Sequence, residues 1–259
     1  MSTPELILVC VVAFGASWLT LISGFGLGTL LLPAFILFFD PIEAVMMTAI
    51  VHLLNNIFKF SLLFKSINGK VLLWFGVPGI AGALLGSNLA TSLDESIAYT
   101  SKFGGSYSEV TWFSVAVGIL MILFALQELL FGRFSFKTKP AVLLPGGVVS
   151  GFFGGLTGHQ GALRSMFLLK SGLTSLGYVA TGTAIALLID LTRIPVYLSS
   201  MDTAVLTNVW QELTFATLSA FIGAYIGKRM MKKVTFRAVQ WVVGILMILI
   251  GLALIFGLI

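Results

Sequence analysis

The stretch Gly151–Ser165, with the sequence GFFGGLTGHQGALRS, places five glycines around His159, Gln160 and Arg164. The chain around it is strongly apolar, with 58% hydrophobic and 10% charged residues. Soluble domains carry about 25% charged residues, so this composition predicts an integral membrane protein. In such a chain, glycine-rich backbone and polar side chains at one point mark a candidate functional site.

Apolar runs of about 20 residues, long enough to cross the hydrocarbon as helices, recur along the chain. The runs are continuous rather than alternating, which favours helices over a β-barrel. We therefore predict an all-α polytopic membrane protein. The basic residues lie in short clusters between the apolar runs, which is typical of topology signals and argues against a nucleic-acid partner.

The two halves of the chain share short matching segments in the same order. The matches are VGILMIL at 117–123 and 243–249, GALLG at 82–86 with GAYIG at 223–227, SGF at 23–25 and 150–152, and TAI at 48–50 and 183–185. Four matches in one order predict an internal duplication. We divide the chain into membrane repeat 1 (1–133), a cytoplasmic linker (134–140) and membrane repeat 2 (141–259).

The basic clusters set the predicted topology, because lysine and arginine collect in cytoplasmic loops. These clusters lie at Lys65 and Lys70, between Arg133 and Lys139, and between Lys228 and Lys233. The loops around Asp94 and Asp202 are then external. Tracing the apolar runs between these loops makes Glu5–Phe39 a hairpin that enters from outside, and Ala141–Leu169 a hairpin that enters from the cytoplasm.

Each half is thus predicted to hold a broken, re-entrant helical hairpin plus three transmembrane helices, which is an odd net number of crossings. The halves are then inverted repeats in the cytoplasmic membrane, with about eight spanning segments, two short re-entrant helices and both termini outside. Inverted repeats with broken helices are typical of secondary transporters. These proteins bind substrate near the midplane, where the breaks meet, and expose it alternately as the halves rock.

A short helix that begins inside the membrane points free N–H groups and the positive end of its dipole into the bend, which attracts anions. We therefore predict that a small anion binds between the two bends. The predicted backbone contacts are Gly26, Gly28, Gly158 and Gly161, and the predicted side-chain contacts are His159, Gln160 and Arg164. Close helix packing is the alternative role for the glycines, and a structural hydrogen bond is the alternative for His159.

Two further pairs of residues complete the predicted site. Asp190 and Arg193 share a helix face because they are three residues apart, and they either contact the substrate or form an internal ion pair. Asn56 and Lys59 hold the equivalent face in the first half, where Lys59 either binds the anion or extends to the cytoplasmic surface. Glu212 either carries a coupling proton or hydrogen-bonds to a neighbouring helix.

No catalytic residues, metal site or cofactor are predicted. The sequence lacks HExxH, GxSxG and P-loop patterns, and its two histidines have no carboxylate or thiolate cluster beside them. The predicted partners are the small anion and membrane lipid, while a proton or sodium as coupling ion and a homo-oligomer are left open. The GxxxG pairs Gly82/Gly86 and Gly223/Gly227 predict helix packing, either within the chain or at a subunit contact.

Four segments together resemble the TauE/SafE sulfite-exporter family, also called the toluenesulfonate uptake permease superfamily. They are GFGLGTLLLP (24–33), DPIEAVMMTAIVHLLNN (40–56), SGFFGGLTGHQGALRSMFLL (150–169) and TGTAIALLIDLTRIPVY (181–197). The resemblance implies a cytoplasmic-membrane permease for sulfite, sulfonates or related sulfur oxyanions, with an anion channel as the alternative. The second motif departs from the family pattern by carrying Arg164 near the expected proline, which leaves other small or organic anions open as substrates.

Overall fold

A computed structural model describes residues 1–23, 27–103, 106–131, 140–169, 171–201, 204–229 and 237–259. The described residues are almost all helical, which confirms the predicted all-α class. The helices are α1 (Thr3–Ser23), α2 (Leu27–Ile36), α3 (Pro41–Leu63), α4 (Gly69–Val71), α5 (Val77–Asp94), α6 (Trp112–Phe131), α7 (Pro140–Thr157), α8 (Gln160–Leu168), α9 (Ser175–Ser200), α10 (Ala204–Asn208), α11 (Trp210–Arg229) and α12 (Arg237–Phe256).

Within these ranges, five helical segments are long and apolar enough to cross a membrane. They are Thr3–Thr20, Pro41–Ser66, Gly69–Asp94, Trp112–Leu130 and Ser175–Ser200. The third runs through α4, a π-helical turn at Leu72–Gly76 and α5. Shorter apolar helices lie at Leu27–Ile36, Ala141–Thr157 and Trp241–Phe256. The chain is therefore an integral membrane protein, and the expected total of eight spans stays a prediction.

Helices α5 and α7 touch backbone to backbone along a glycine seam. A Cβ atom placed on Gly82 would lie 2.1 Å from the carbonyl oxygen of Val148, and one on Gly86 would lie 2.0 Å from that of Phe152. Residue numbers at the contacts increase together along both helices, from Gly82 with Val148 to Gly86 with Phe152, so α5 and α7 run parallel. This first GxxxG pair therefore serves packing within the chain, which was one of its two expected roles.

The second GxxxG pair forms the same kind of seam between α1 and α11. A Cβ atom on Gly223 would lie 2.2 Å from the carbonyl oxygen of Phe14, and one on Gly227 would lie 2.9 Å from that of Trp18. These two helices also run parallel. Both GxxxG pairs are thus occupied by contacts between a helix of the first half and a helix of the second.

Helices α6 and α12 form a third, antiparallel seam. Gly118 and Gly251 each face the other's carbonyl oxygen, at 2.5 and 2.7 Å from the position that a Cβ atom would take. Further along, Gly244 faces the side chain of Leu129. The three seams leave the helix breaks and the polar residues of α3 and α9 to the bundle interior.

A β-hairpin between α5 and α6 was not predicted. Strands β1 (Ile97–Phe103) and β2 (Ser106–Thr111) pair antiparallel. Gly104-Gly105, between them in the sequence, is a hairpin-turn signal. The hairpin rests on the end of α12. The Ser101 hydroxyl donates a hydrogen bond of 2.7 Å to the carbonyl of Phe256, and so satisfies a helix-end acceptor that has no partner within the helix.

The helix breaks differ from the sequence match in one respect. The match paired SGF at 23–25 with SGF at 150–152, but Ser150–Phe152 lies inside α7, whereas Ser23 is the last residue of α1. In the second half the break falls at Gly158 and His159 instead. The physical reason is packing, because a Cβ atom on Gly151 would lie 2.0 Å from the carbonyl oxygen of Gly79. This glycine serves the seam with α5 rather than a bend.

Several predicted features lie outside the described residues. These are the first bend at Gly24–Gly26, the predicted linker (134–140) except Pro140, the basic cluster between Arg133 and Lys139, the acidic loop position Asp202, and Lys232 and Lys233 of the last basic cluster.

Candidate functional site

The second hairpin bends at Gly158. This residue has φ +80°, a left-handed conformation that glycine adopts without steric cost, and its N–H donates to the carbonyl of Gly154 at 3.0 Å to close the last turn of α7. The bend lies beside the start of α2, because a Cβ atom on Gly28 would lie 3.2 Å from the carbonyl oxygen of Gly158. The structure thus brings Gly28 and Gly158 together from the two hairpins, while Gly26 lies outside the described residues.

Asp190 on α9 is the centre of a buried polar cluster. Its carboxylate is fully buried, with one oxygen 2.6 Å from Nδ1 of His52 on α3. The other oxygen accepts hydrogen bonds from Nε of Arg193 at 3.0 Å and from the amide of Gln160 at 3.3 Å. The carboxylate therefore ties together α3, α8 and α9. The contact of His52 with Asp190 also shows that α3 and α9 meet near the middle of each helix.

Arg193 contacts two different groups. Its Nη2 atom lies 2.9 Å from Asp190 as an ion pair, although the N–H groups are not aligned for a hydrogen bond there. Its Nη1 atom donates to the carbonyl of Gly154 at 3.0 Å, and the Tyr197 hydroxyl donates to the carbonyl of Gly155. Both side chains thus satisfy acceptors at the negative, C-terminal end of α7. The internal ion pair is the role that the structure shows for Asp190 and Arg193.

Lys59 occupies the corresponding place in the first half. Its ammonium donates a 2.7 Å hydrogen bond to the hydroxyl of Thr20, in the last turn of α1. The residue is 4% exposed, so it does not extend to a membrane surface, and that alternative is wrong. Asn56, one turn earlier on α3, places its amide nitrogen 3.1 Å from Nδ1 and 3.3 Å from Nε2 of the His52 ring.

Arg164 lies on α8, one turn after Gln160, and donates to the Gln160 side-chain oxygen at 3.4 Å. Gly182 on α9 leaves room for it, since a Cβ atom there would lie 3.3 Å from the guanidinium. Arg164 interacts electrostatically with Lys59 and with the Asp190 carboxylate. Across the described ranges, no carboxylate lies within ion-pair distance of this guanidinium.

His159 points away from this cluster. Its Nδ1 atom is 3.0 Å from the hydroxyl of Thr157, and its ring stacks on Phe124 of α6 with centroids 5.2 Å apart. Successive residues of a helix are rotated by about 100°, so His159 and Gln160 face different neighbours at the start of α8. The structure therefore brings Gln160 and Arg164 to Asp190 but leaves His159 against α6. Gly161 lies buried in the first turn of the same helix.

Three contributors were not among the predicted site residues. His52 is four residues before Asn56 and Tyr197 is four residues after Arg193, so the one-turn spacing that groups side chains on a helix face was the signal for both. Thr20 had no such signal, because its role depends on contact with another helix. Glu212, which was considered as a carrier of a coupling proton, contacts the amino group of Met1 at 3.2 Å.

Two threonines beside the bends have buried hydroxyls without partners among the described atoms. They are Thr29, in the first turn of α2, and Thr48 on α3, whose methyl group would lie 3.6 Å from a Cβ atom on Gly28. Buried polar groups are nearly always hydrogen-bonded in folded proteins. Such hydroxyls beside a helix break are therefore available to a ligand.

The charges of the interior do not balance. Arg193 is paired with Asp190, whereas Lys59 and Arg164, which interact electrostatically with each other, have no carboxylate within ion-pair distance in the described part of the chain. Buried charge without a counter-charge is costly, and guanidinium and ammonium groups pair well with oxyanions. The arrangement therefore favours a small anion. Within the described ranges, no group of three or more His, Cys, Asp or Glu side chains is placed to hold a metal ion.

A family model for the sulfite exporters TauE/SafE matches residues 9–254, nearly the whole chain. No curated protein and no solved structure matches the chain. The members of the matched family are transporters rather than enzymes. The helical membrane fold and the buried basic cluster agree with that class. The chain belongs to the TauE/SafE sulfite-exporter family and is a membrane transporter of that type.

Proposed function

We propose that the protein is a secondary transporter that carries a small sulfur oxyanion or an organosulfonate across the cytoplasmic membrane. The observation that carries the proposal is the excess of buried positive charge beside the helix breaks, where Arg193 is paired with Asp190 but Lys59 and Arg164 have no carboxylate partner among the described residues. A negatively charged guest restores the charge balance that the chain itself lacks.

The anion binds between the two bends. The first turns of α2 and α8 supply N–H groups that have no partner within their helices, and the contact between Gly28 and Gly158 sets these two helix starts side by side. Arg164 offers the planar fork that suits an oxyanion. The unpartnered hydroxyls of Thr29 and Thr48 add neutral donors.

The two halves act as inverted repeats in this proposal. Its support is that the seam α5 with α7 corresponds to the seam α11 with α1, and that both seams join parallel helices. A second support is that Lys59 contacts Thr20 and Arg193 contacts Gly154. The two residues of each pair are 39 positions apart in the sequence. Both termini then lie outside, as the basic clusters indicate.

Transport by purified protein in proteoliposomes tests the proposal. Vesicles loaded with unlabelled sulfite, thiosulfate, sulfate or ethanesulfonate are placed in the same anion carrying a ³⁵S label. A carrier shows faster labelled uptake when the inside is loaded, and a channel does not. Uptake of none of the four anions would refute the proposed function.

The matched variants are Arg164→Gln and Lys65→Gln, which each remove one positive charge. Lys65 is exposed beyond the end of α3, so its loss should leave the apparent affinity unchanged. Arg164→Gln should lower that affinity about tenfold or more, because a hydrogen bond to a charged group contributes about 1.5–3 kcal/mol. Equal affinities in the two variants would show that the anion does not bind at Arg164.

A further inference from the structure

We infer that His52 takes up a proton when the anion binds and carries it across the membrane with the anion. The inference rests on the proposed function, since it concerns the same site. It adds a second transported species, and it assigns this species to a residue that the sequence had not marked as part of the site. The structural basis is the contact of 2.6 Å between Nδ1 of His52 and the carboxylate of Asp190.

The geometry suits both protonation states of the ring. His52 is 5% exposed, and its Nδ1–H donates to Asp190 in either state. The amide nitrogen of Asn56 lies 3.1 Å from Nδ1 and 3.3 Å from Nε2, so it sits against the ring and not in line with Nε2. An asparagine amide presents either NH₂ or oxygen after a half-turn. A turn of the Asn56 side chain would therefore bring its oxygen to Nε2 as an acceptor for the added proton.

The surrounding charges link the proton to the anion. The charged groups that interact electrostatically with His52 are Asp190 and Arg193 on α9 and Arg164 on α8. Lys59 lies two turns further along α3 and interacts electrostatically with Arg164. The two arginines oppose a further positive charge on the ring while the site holds no anion. A bound anion offsets them and favours the imidazolium. By reciprocity, protonation of His52 then strengthens anion binding by the same factor.

Other ionisable residues belong to different places in the bundle. Of the helices that pack on α3, α2 carries no ionisable residue, whereas α5 carries Asp94 and α6 carries Glu128. Helix α9 also carries Tyr178 and Tyr197, and α11 carries Glu212, Tyr225, Lys228 and Arg229. Glu212, the earlier candidate for proton coupling, contacts the Met1 amino group and not the cluster around Asp190. Tyr197 also lies beside Arg193 and Asp190, but its hydroxyl donates to the carbonyl of Gly155, so we assign the transported proton to His52.

The transport step balances simply. A proton from the solvent on the loading side binds Nε2 of His52 as the anion enters, and the same proton leaves Nε2 to the opposite solvent as the anion departs. No bond other than N–H forms or breaks. Anion and proton move in the same direction, so a monovalent anion crosses without net charge.

The presence of only two histidines makes the protonation step directly measurable. Protein labelled with ¹⁵N in its histidine rings gives two sets of signals, and His159→Gln identifies those of His52. We expect saturating thiosulfate or sulfite at pH 7 to raise the imidazolium fraction of His52 about threefold or more, relative to potassium gluconate of equal ionic strength. An unchanged fraction with a bound anion would overturn the inference.

Proton flux provides the transport measurement. Thiosulfate takes up no proton near neutral pH, so its outward gradient in proteoliposomes should drive protons outward through the wild-type protein, about one for each anion. In His52→Gln this ratio should fall to near zero. Thiosulfate and sulfite transport without coupled protons would overturn the inference and leave the proposed function standing. Failure of the protein to transport any of thiosulfate, sulfite, sulfate and ethanesulfonate would refute both.

Discussion

The seam between α5 and α7 allows a stability prediction with a matched control. Gly86→Ala adds one methyl group that would lie 2.0 Å from the carbonyl oxygen of Phe152 and 2.8 Å from the backbone nitrogen of Leu156. Both neighbours are backbone atoms, so no side chain can turn aside. Restoring an ordinary contact requires the two helices to separate locally by about an ångström.

Such overpacking typically costs about 1–3 kcal/mol, while replacing glycine by alanine inside a helix contributes about 1 kcal/mol in the opposite direction. Gly15→Ala isolates the second effect, because nothing lies within 4 Å of its added methyl group in α1. We expect Gly86→Ala to be less stable than Gly15→Ala by about 1–3 kcal/mol, since the propensity gain is common to both.

Reversible unfolding by titration with sodium dodecyl sulfate in mixed micelles measures both free energies. The same samples should show weaker anion binding in Gly86→Ala, because α7 carries the bend at Gly158 and the acceptors of Arg193. Equal stability of the two variants would refute the close approach of α5 and α7.

Three further substitutions test separate parts of the structure. Asp190→Asn should destabilise the protein by about 3–5 kcal/mol, because it leaves Arg193 buried without its counter-charge, and an unchanged unfolding midpoint would contradict the ion pair. His159→Phe should keep the stacking on Phe124 and leave anion affinity within a factor of two, whereas a tenfold loss would place this histidine at the anion after all. Ser101→Ala should remove the hairpin's hydrogen bond to the last turn of α12 at a cost of about 1 kcal/mol, seen as faster amide exchange in that turn than in the wild type.

Composition and short-range spacing were sufficient to predict the class and most of the cluster. Continuous apolar runs can be satisfied in lipid only as helices, and the three-residue spacing of Asp190 and Arg193 correctly placed them on one face. The GxxxG pairs likewise predicted close helix contacts. These features are local, so they depend on few distant residues.

The remaining features depend on which helices meet. The sequence does not tell which of two consecutive residues at the start of α8 faces α9, so Gln160 and His159 were grouped although the structure separates them. The role of Lys59 required knowledge that the end of α1 lies beside α3. The matching SGF tripeptides misled because the glycines of α7 serve a long packing seam as well as a bend.

The three glycine seams also bear on how the site can open. Each seam joins a helix from the first half of the chain to one from the second, so rocking one half against the other, as expected from the duplication alone, would part all three. Helices in backbone contact along a ridge are more easily carried together than pulled apart, because their separation opens voids that neither lipid nor side chains fill. We therefore expect the rigid bodies of the proposed transport cycle to be mixed. Helix α5 would move with α7 and α8, and α1 with α2 and α11, with the boundary between them at the contact of Gly28 with Gly158.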